Sequence, residues 1–250
     1  MKRFFERFRF RSEGHLNIGV ESECFLIRDG RISPIAKEVV DFINNPAVGN
    51  ELSACQLETR VGPCQLSGLK PALINLDEVI RQAERRISFG RLFTEVAPAD
   101  MPLEVYDDPQ GRYRKLARSL TTERLSAACR VAGTHIHIGM GDRHAALKAY
   151  NHAVKHWQKL FKIGDGSNGR RLALYRIVAP DYVPRIYRDW TEFYRYATDK
   201  GFCENPRNCH HLIRISVHGT VEFRMFGTTS DYDQVHAWAW ECHRLCAEAL

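Results

Sequence analysis

The sequence lacks the long apolar segments and the motifs that mark several common protein classes. No run approaches the roughly 20 apolar residues that span a bilayer, and the N-terminal MKRFFERFRFRSEG has neither an apolar core nor a small-residue cleavage site. The phosphate-binding GxxxxGK[ST] loop and the GxSxG elbow of serine hydrolases are also absent. We therefore expect a cytoplasmic protein that contacts no membrane and uses neither of these two motifs.

Cysteine pairs with the spacing of zinc ligands are absent as well. The chain has 8 cysteines, and none forms a CxxC pair. Without a secretory signal we expect free thiols that are structural or incidental. Cys203, Cys209, His210 and His211 are close in sequence, but their spacing matches no familiar zinc motif, which argues against a zinc site.

The glycine-rich segment 164–169 matches GxGxxG but lies in the wrong context for a dinucleotide-binding fingerprint. That fingerprint requires a preceding strand. Here the segment follows Lys159–Lys162, which end a predicted helix. We interpret 164–169 as a loop.

Length and composition indicate a globular protein with a mild excess of positive charge. The 250 residues are 44% hydrophobic and 26% charged, which is typical of globular chains. The net charge of +6 is mild and spread out, so it is compatible with an anionic small molecule such as ATP and with nucleic acid, and it favours a solvated basic surface over a nucleic-acid footprint. We interpret residues 1–14 as a basic arm with several aromatics, 15–250 as one domain, and 163–209 as its variable substrate or lid segment.

Hydrophobic periodicity predicts an α+β protein. Alternating patterns predict strands at 15–27, 54–62, 91–96 and 130–140, and two more within 210–228 joined by a turn at His218-Gly219. Helices are predicted at 34–44, 68–88, 142–162 with Asp142 as N-cap, and 231–250. The hairpin implies antiparallel pairing, and no regular βαβ rhythm is present.

The polar face of these strands is dominated by Glu, His and Arg. Strand alternation places the following residues opposite the apolar set: Glu21, Glu23, Gln56, Glu58, Arg60, His135, His137, Arg214, Glu222 and Arg224. Carboxylates with an imidazole suit Mg²⁺ or Mn²⁺, and arginines suit phosphate oxygens. The pattern thus favours phosphoryl transfer, while an ordinary half-exposed sheet shows similar alternation and remains the alternative.

Four short motifs, in a fixed order, resemble a known enzyme group. They are GVESE at 19–23, QLETR at 56–60, GTHIHIG at 133–139 and HGTVEFR at 218–224. Together they resemble the carboxylate–amine ligases related to glutamine synthetase and glutamate–cysteine ligase. The small size and the FGT at 226–228 before a Trp-containing helix are most similar to the amidoligase branch. The resemblance covers about 17–64, 130–142 and 207–245 and leaves 163–205 without a match.

This resemblance implies a fold and a set of site residues. The fold would be a curved antiparallel sheet forming a funnel-like active site, with helices on its outer face and 15–250 as the catalytic domain. The implied metal ligands are Glu21, Glu23, Glu58, Glu222 and His135, with His137 as second choice to His135. Arg224 would stabilise the transferring phosphate and bind nucleotide, whereas Arg214 and Arg60 would bind phosphate or the substrate carboxylate.

The implied reaction consumes ATP with Mg²⁺ or Mn²⁺. ATP would phosphorylate a carboxylate, and an amine would displace phosphate from the acyl phosphate to form an amide. The substrates would be an amino acid, a peptide or a small amine. Two alternatives remain: a binding module on the same fold without chemistry, and a metal-dependent nuclease that uses the same carboxylates together with the basic arm.

Overall fold

An eight-stranded antiparallel sheet organises the chain, for which the computed structural model describes residues 2–250. The strands are β1 Ile18–Arg28, β2 Arg31–Ile32, β3 Val48–Asn50, β4 Gln56–Cys64, β5 Gly90–Leu92, β6 Gly133–Gly139, β7 Ile213–Ile215 and β8 Thr220–Gly227. Their order is β3-β4-β1-β6-β8-β7, and β2 and β5 both pair with the distal part of β1. Every pairing is antiparallel, so the α+β prediction is confirmed.

Ten α-helices accompany the sheet in the described residues. They are α1 Lys2–Phe5, α2 Ala36–Ile43, α3 Leu66–Ile87, α4 Arg112–Ser119, α5 Thr122–Cys129, α6 Arg143–Val154, α7 Trp157–Gly164, α8 Arg170–Val178, α9 Trp190–Asp199 and α10 Tyr232–Glu248. Helices α2, α3, α6, α7 and α10 contact the sheet strands. No helix of the described part is long and apolar enough to cross a bilayer.

The apolar face of the sheet forms the core with these helices. Ile136 on β6 and Phe223 on β8 are fully buried, as the alternation predicts. Trp238 of α10 stacks on Phe226 with ring centroids 5.1 Å apart. Helices cover this apolar face. The Glu, His and Arg side chains alternate with the apolar ones along the strands, so they project from the opposite face.

The prediction of a single helix over 142–162 is wrong in one respect, because the structure has two helices there, α6 and α7. Asp142 is its N-cap as predicted, and its carboxylate accepts hydrogen bonds from the backbone N–H groups of His144 and Ala145. At Lys155 and His156 the backbone N–H groups bond three residues back, which tightens the last turn and ends α6. Neither residue is a helix breaker, so the sequence carries no signal for the interruption.

Several short elements also differ from the sequence prediction. In place of the predicted strand 91–96 the structure has the three-residue strand Gly90–Leu92, and Val96 forms an isolated antiparallel bridge with Val131. Strand β3 and helices α4 and α5 were not predicted. Helix α4 is only eight residues long and has no buried residue.

The N-terminal arm is packed against the rest of the chain. Phe4 and Phe8 are buried and pack against Phe193 of α9, and Trp190 contacts Phe8. Burying two phenylalanines contributes about 1.5–3 kcal/mol each to anchoring the arm.

Candidate functional site

Strand register brings the predicted polar residues together in three rows across the sheet. In the first row, Glu23 of β1 lies opposite Glu58 of β4. The other rows are Arg60–Glu21–His135 across β4, β1 and β6, and His137–Glu222–Arg214 across β6, β8 and β7. Directly opposed residues of antiparallel strands share a face. Arg224 joins them, because it donates a hydrogen bond to Glu222 at 2.5 Å.

This polar face is not the solvent-exposed face of an ordinary sheet. Glu222 is 0% exposed, His135 7%, and His137 and Glu58 each 9%. Burial of unpaired charge costs several kcal/mol, so these groups must be compensated by one another or by a bound ligand. The alternative of a half-exposed sheet is therefore wrong for these strands.

Three carboxylates converge at one end of the face. One oxygen from each of Glu23, Glu51 and Glu58 lies within 4.8 Å of the other two. Burial raises the pKa of Glu51, and the charges of Glu23 and Glu58 raise it further. Burial likewise raises the pKa of Glu23 and of Glu58. We refer to Glu23, Glu51 and Glu58 as the acidic trio.

Glu51 was missed by sequence reasoning. It directly follows the three-residue edge strand β3. A strand this short shows no period-two pattern, and the neighbouring sequence resembles no motif. Its position depends on the pairing of β3 with β4, which places Gly49 opposite Glu58.

Two histidines flank Glu21 at the centre of the face. His135 Nδ1 is 3.4 Å and His137 Nε2 is 3.5 Å from Glu21 Oε2. His137 Nδ1 is 2.9 Å from Thr220 Oγ1, whereas its buried Nε2 has no hydrogen-bond partner. His137 thus has a ring nitrogen directed at a carboxylate with its other nitrogen held, an arrangement typical of metal-ligating histidines.

The pKa values of Glu21, His135 and His137 depend on burial and on the charged groups around them. Burial and the charge of Arg224 lower the pKa of His135 to about 4, so this imidazole is neutral at pH 7. Burial disfavours charge on His137 too, but Glu222 and Glu21 outweigh it and raise its pKa. Despite burial, contacts with the two histidines lower the pKa of Glu21.

Glu222 holds two arginines at the other end of the face. Its Oε2 accepts from Arg214 Nε at 2.7 Å and its Oε1 from Arg224 at 2.5 Å. The charges of these arginines and of His137 outweigh burial and lower the pKa of Glu222 well below its usual range. Both oxygens therefore accept a hydrogen bond, and Glu222 positions the two guanidinium groups.

Arg60 pairs with a member of the acidic trio. Its Nε donates to Glu58 Oε1 at 2.6 Å, while about half of its side chain is exposed. The guanidinium consequently lies at the edge of the site with donors still available.

Arg171 is a second residue that sequence reasoning missed. It lies on α8 within the segment 163–209, is 5% exposed, and donates hydrogen bonds to the carbonyl groups of Ala132, Arg224 and Met225 at 3.0, 3.1 and 3.3 Å. Its charge also opposes the raised pKa of Glu23. No sequence signal identifies it, because its role depends on α8 reaching β6 and β8.

The glycine-rich segment 164–169 is a connection between two helices, as predicted. Gly166 N–H donates to Glu95 Oε1 at 2.6 Å, and Asp165 accepts from the backbone of Ser167 and Gly169. The segment follows α7 instead of a strand, so it does not have the geometry of a dinucleotide-binding loop.

The cysteines have no metal-binding arrangement in the described residues. All 8 are free thiols. The acidic trio is the one group in residues 2–250 in which three or more potential ligand atoms all lie within 4.8 Å of one another, and it excludes Cys203, Cys209, His210 and His211. Burial raises the pKa of Cys209 to about 11, which keeps this thiol protonated and unreactive.

The fold is shared with two solved structures. A bifunctional glutathione synthetase from Pasteurella multocida superposes with a TM-score of 0.60 at 16% identity over 93% of this chain and 41% of that one. Unliganded GmaS superposes with a TM-score of 0.51 at 12% identity over 93% of this chain and 54% of that one. The chain therefore spans roughly half the length of these structures or less. These similarities support the predicted fold.

No protein-family model and no curated protein matches the sequence. Identities this low demonstrate a common fold and nothing about substrates. The resemblance of the four motifs to carboxylate–amine ligases thus remains a prediction about activity.

Proposed function

We propose that this chain is an ATP-dependent carboxylate–amine ligase that forms an amide bond through an acyl phosphate. The observation that carries the proposal is the buried sheet face on which the acidic trio, the Glu21–histidine group and two arginines lie side by side. Divalent cations and phosphates are the ligands that this combination of carboxylates and guanidinium groups attracts. The shared fold with ligase structures is consistent with it.

The donor set fits Mg²⁺ or Mn²⁺. Three crowded carboxylates whose pKa values are raised would be stabilised by a divalent cation, which removes their repulsion. We assign one cation to the acidic trio. We assign a second to Glu21 with His137, whose Nε2 lies 3.5 Å from Glu21 Oε2 without a hydrogen bond, and with His135 as the further candidate. When bound, such ions neutralise phosphate charge and polarise the phosphoryl group.

The remaining residues would orient the reacting groups. Arg224, held by Glu222, presents planar donors suited to phosphate oxygens. Arg214 would contribute through Nη2, because its Nε donates to Glu222 and its Nη1 to backbone carbonyl groups. Arg60 at the edge of the site is suited to the carboxylate of the acid substrate. The burial of this face excludes water, which would otherwise hydrolyse an acyl phosphate.

The reaction would have two steps. A carboxylate oxygen attacks the γ-phosphorus of ATP, and the bond to ADP breaks. The amine nitrogen then attacks the acyl carbon, phosphate leaves with the bonding electron pair, and the nitrogen loses a proton to give the amide.

The test is release of ADP from Mg·ATP in pools of amino acids, peptides and small amines, followed by mass spectrometry. We expect ADP release that requires both an acid and an amine, and a product whose mass is their sum minus water. Glu58→Gln should abolish it. Binding of ATP without product in any pool would favour the binding module, and metal-dependent cleavage of nucleic acid without ATP would favour the nuclease. Either result contradicts the ligase.

A further inference from the structure

The N-terminal arm forms part of the wall of a cavity beside the candidate site. The backbone N–H of Arg9 donates to the carbonyl of Val217 at 3.0 Å, and that of Arg11 to the carbonyl of Met140 at 3.4 Å. These bonds tie the arm to the β7–β8 turn and to the end of β6. Buried Phe4 and Phe8 anchor it further. The backbone of Arg9 and Arg11 is consequently fixed beside the β7–β8 turn and the end of β6.

Two glycines allow this close approach. A Cβ at Gly219 would lie 2.2 Å from the carbonyl oxygen of Arg9, and a Cβ at Gly139 would lie 2.0 Å from that of Gly14. Both contacts are with backbone, so neither can be relieved by a side-chain rotation. Gly219 also has a φ of +76°, which favours glycine. Glycine at these two positions thus allows the backbone of the arm to pack closely against this end of the sheet.

The cavity between the arm and the sheet joins basic side chains to Glu21. Its volume is about 430 Å³, within the usual size of small-molecule sites. The charged and titratable residues that line it are Arg9, Arg11, Glu21, Arg60, His137 and His218. The side chains of Arg9 and Arg11 are exposed, and neither forms a salt bridge within residues 2–250. Arg9 and Arg11, which have no acidic partner, therefore line the same cavity as Glu21, to which we assign a metal ion.

We propose that Arg9 and Arg11 bind the phosphate chain of the nucleotide in this cavity. This inference rests on the proposed function, since it requires Mg·ATP as a ligand. A polyphosphate carries several negative charges along its length. Its terminal phosphate can therefore bind the cation assigned to Glu21 while the other phosphates bind Arg9 and Arg11. Arginine grips phosphate oxygens in pairs, which suits it to this position. A substrate with one carboxylate has too little charge to engage both arginines and the metal group together.

The test is calorimetric titration of the whole chain with Mg·ATP. The variant is Arg9→Ala/Arg11→Ala, and the matched control is Arg3→Ala, an exposed arginine of the same arm that does not line the cavity. We expect the double variant to bind Mg·ATP about 10- to 100-fold more weakly, because charged hydrogen bonds of this kind are lost. The control should stay within twofold of the wild type. Titration with Mn²⁺ alone should be unchanged in both variants.

Each contrary result has its own meaning. Equal Mg·ATP affinity of wild type and double variant would overturn the role of the arm while leaving the ligase proposal intact. A wild type that binds no Mg·ATP would overturn both. Loss of Mn²⁺ binding in the double variant would show that the substitution disturbs the metal group, and this too would overturn a phosphate-binding role.

Discussion

Glu23 of β1 lies directly opposite Glu58 of β4, and both side chains project from the same largely buried face of the sheet. Like charges placed directly opposite one another destabilise an antiparallel pair. Glu51 adds a third carboxylate within 4.8 Å. Such an arrangement is costly to the metal-free fold, and a bound divalent cation would convert the repulsion into attraction.

Replacement of Glu51 by Gln should therefore have opposite effects without and with metal. Without metal we expect Glu51→Gln to raise the free energy of unfolding by about 1 kcal/mol, because one buried like charge is removed. In Mn²⁺ we expect at least about 10-fold weaker binding, because a ligand oxygen is replaced by a neutral one. Thermal unfolding at increasing Mn²⁺ concentration measures both effects.

Glu104→Gln is the matched control, because Glu104 is exposed and lies outside the acidic trio. It should leave stability and Mn²⁺ affinity unchanged. If Glu51→Gln bound Mn²⁺ as tightly as the wild type, Glu51 would have to be removed from the metal ligands.

Arg224→Lys should impair turnover far more than ATP binding. The guanidinium is held by Glu222 and can follow two phosphoryl oxygens as charge moves, whereas an ammonium cannot. Loss of one aligned donor typically lowers the rate by about 10²–10³. Turnover and Mg·ATP affinity are compared for the wild type and the variant, with exposed Arg195→Lys as control. A rate within a few-fold of wild type would exclude Arg224 from catalysis.

Arg171→Met should destabilise the fold markedly. Two carbonyl groups of β8 and the carbonyl group of Ala132, the residue before β6, lose their donor, and Glu23 loses a neighbouring positive charge. We expect a loss of about 3 kcal/mol in the free energy of unfolding, measured by urea denaturation. The adjacent Arg170→Met is the control, because Arg170 is exposed, and should cost less than about 1 kcal/mol. Equal effects of the two substitutions would contradict the structural role of Arg171.

Glu241 should make stability depend on pH in the acidic range. The guanidinium of Arg244 at 2.9 Å and the ammonium of Lys159 at 3.0 Å lower the pKa of Glu241 from 4.5 to about 2. Because the folded-state pKa is the lower one, ionised Glu241 stabilises the fold above pH 4.5, and this contribution is lost as the pH falls towards 2.

We therefore expect Glu241→Gln to lower the free energy of unfolding by about 1 kcal/mol at pH 7, with the difference from wild type shrinking below pH 4.5. Urea denaturation across this pH range provides the measurement. Glu204→Gln is the control, since Glu204 pairs with Arg7 but is 89% exposed. A difference independent of pH would rule out the ion pairs as its cause.

The sequence by itself determined which residues share the polar face. Period-two alternation is a local property, since neighbouring side chains of a strand point to opposite sides. Glu21 and Glu23 on β1, and Glu222 and Arg224 on β8, could thus be assigned to a common face from residues two apart. The hairpin at His218-Gly219 and the N-cap Asp142 were also local signals, because each depends on a few adjacent residues.

Only the tertiary structure decided which of these residues meet and which others join them. Register pairs Glu23 with Glu58 and Glu21 with His135, and a shift of one residue would have changed both pairs. Glu51 is 28 positions from Glu23 in sequence, and Arg171 is 148. Their positions follow from the edge pairing of β3 and from the packing of α8, which depend on contacts summed over the whole core. No short stretch of sequence encodes such contacts.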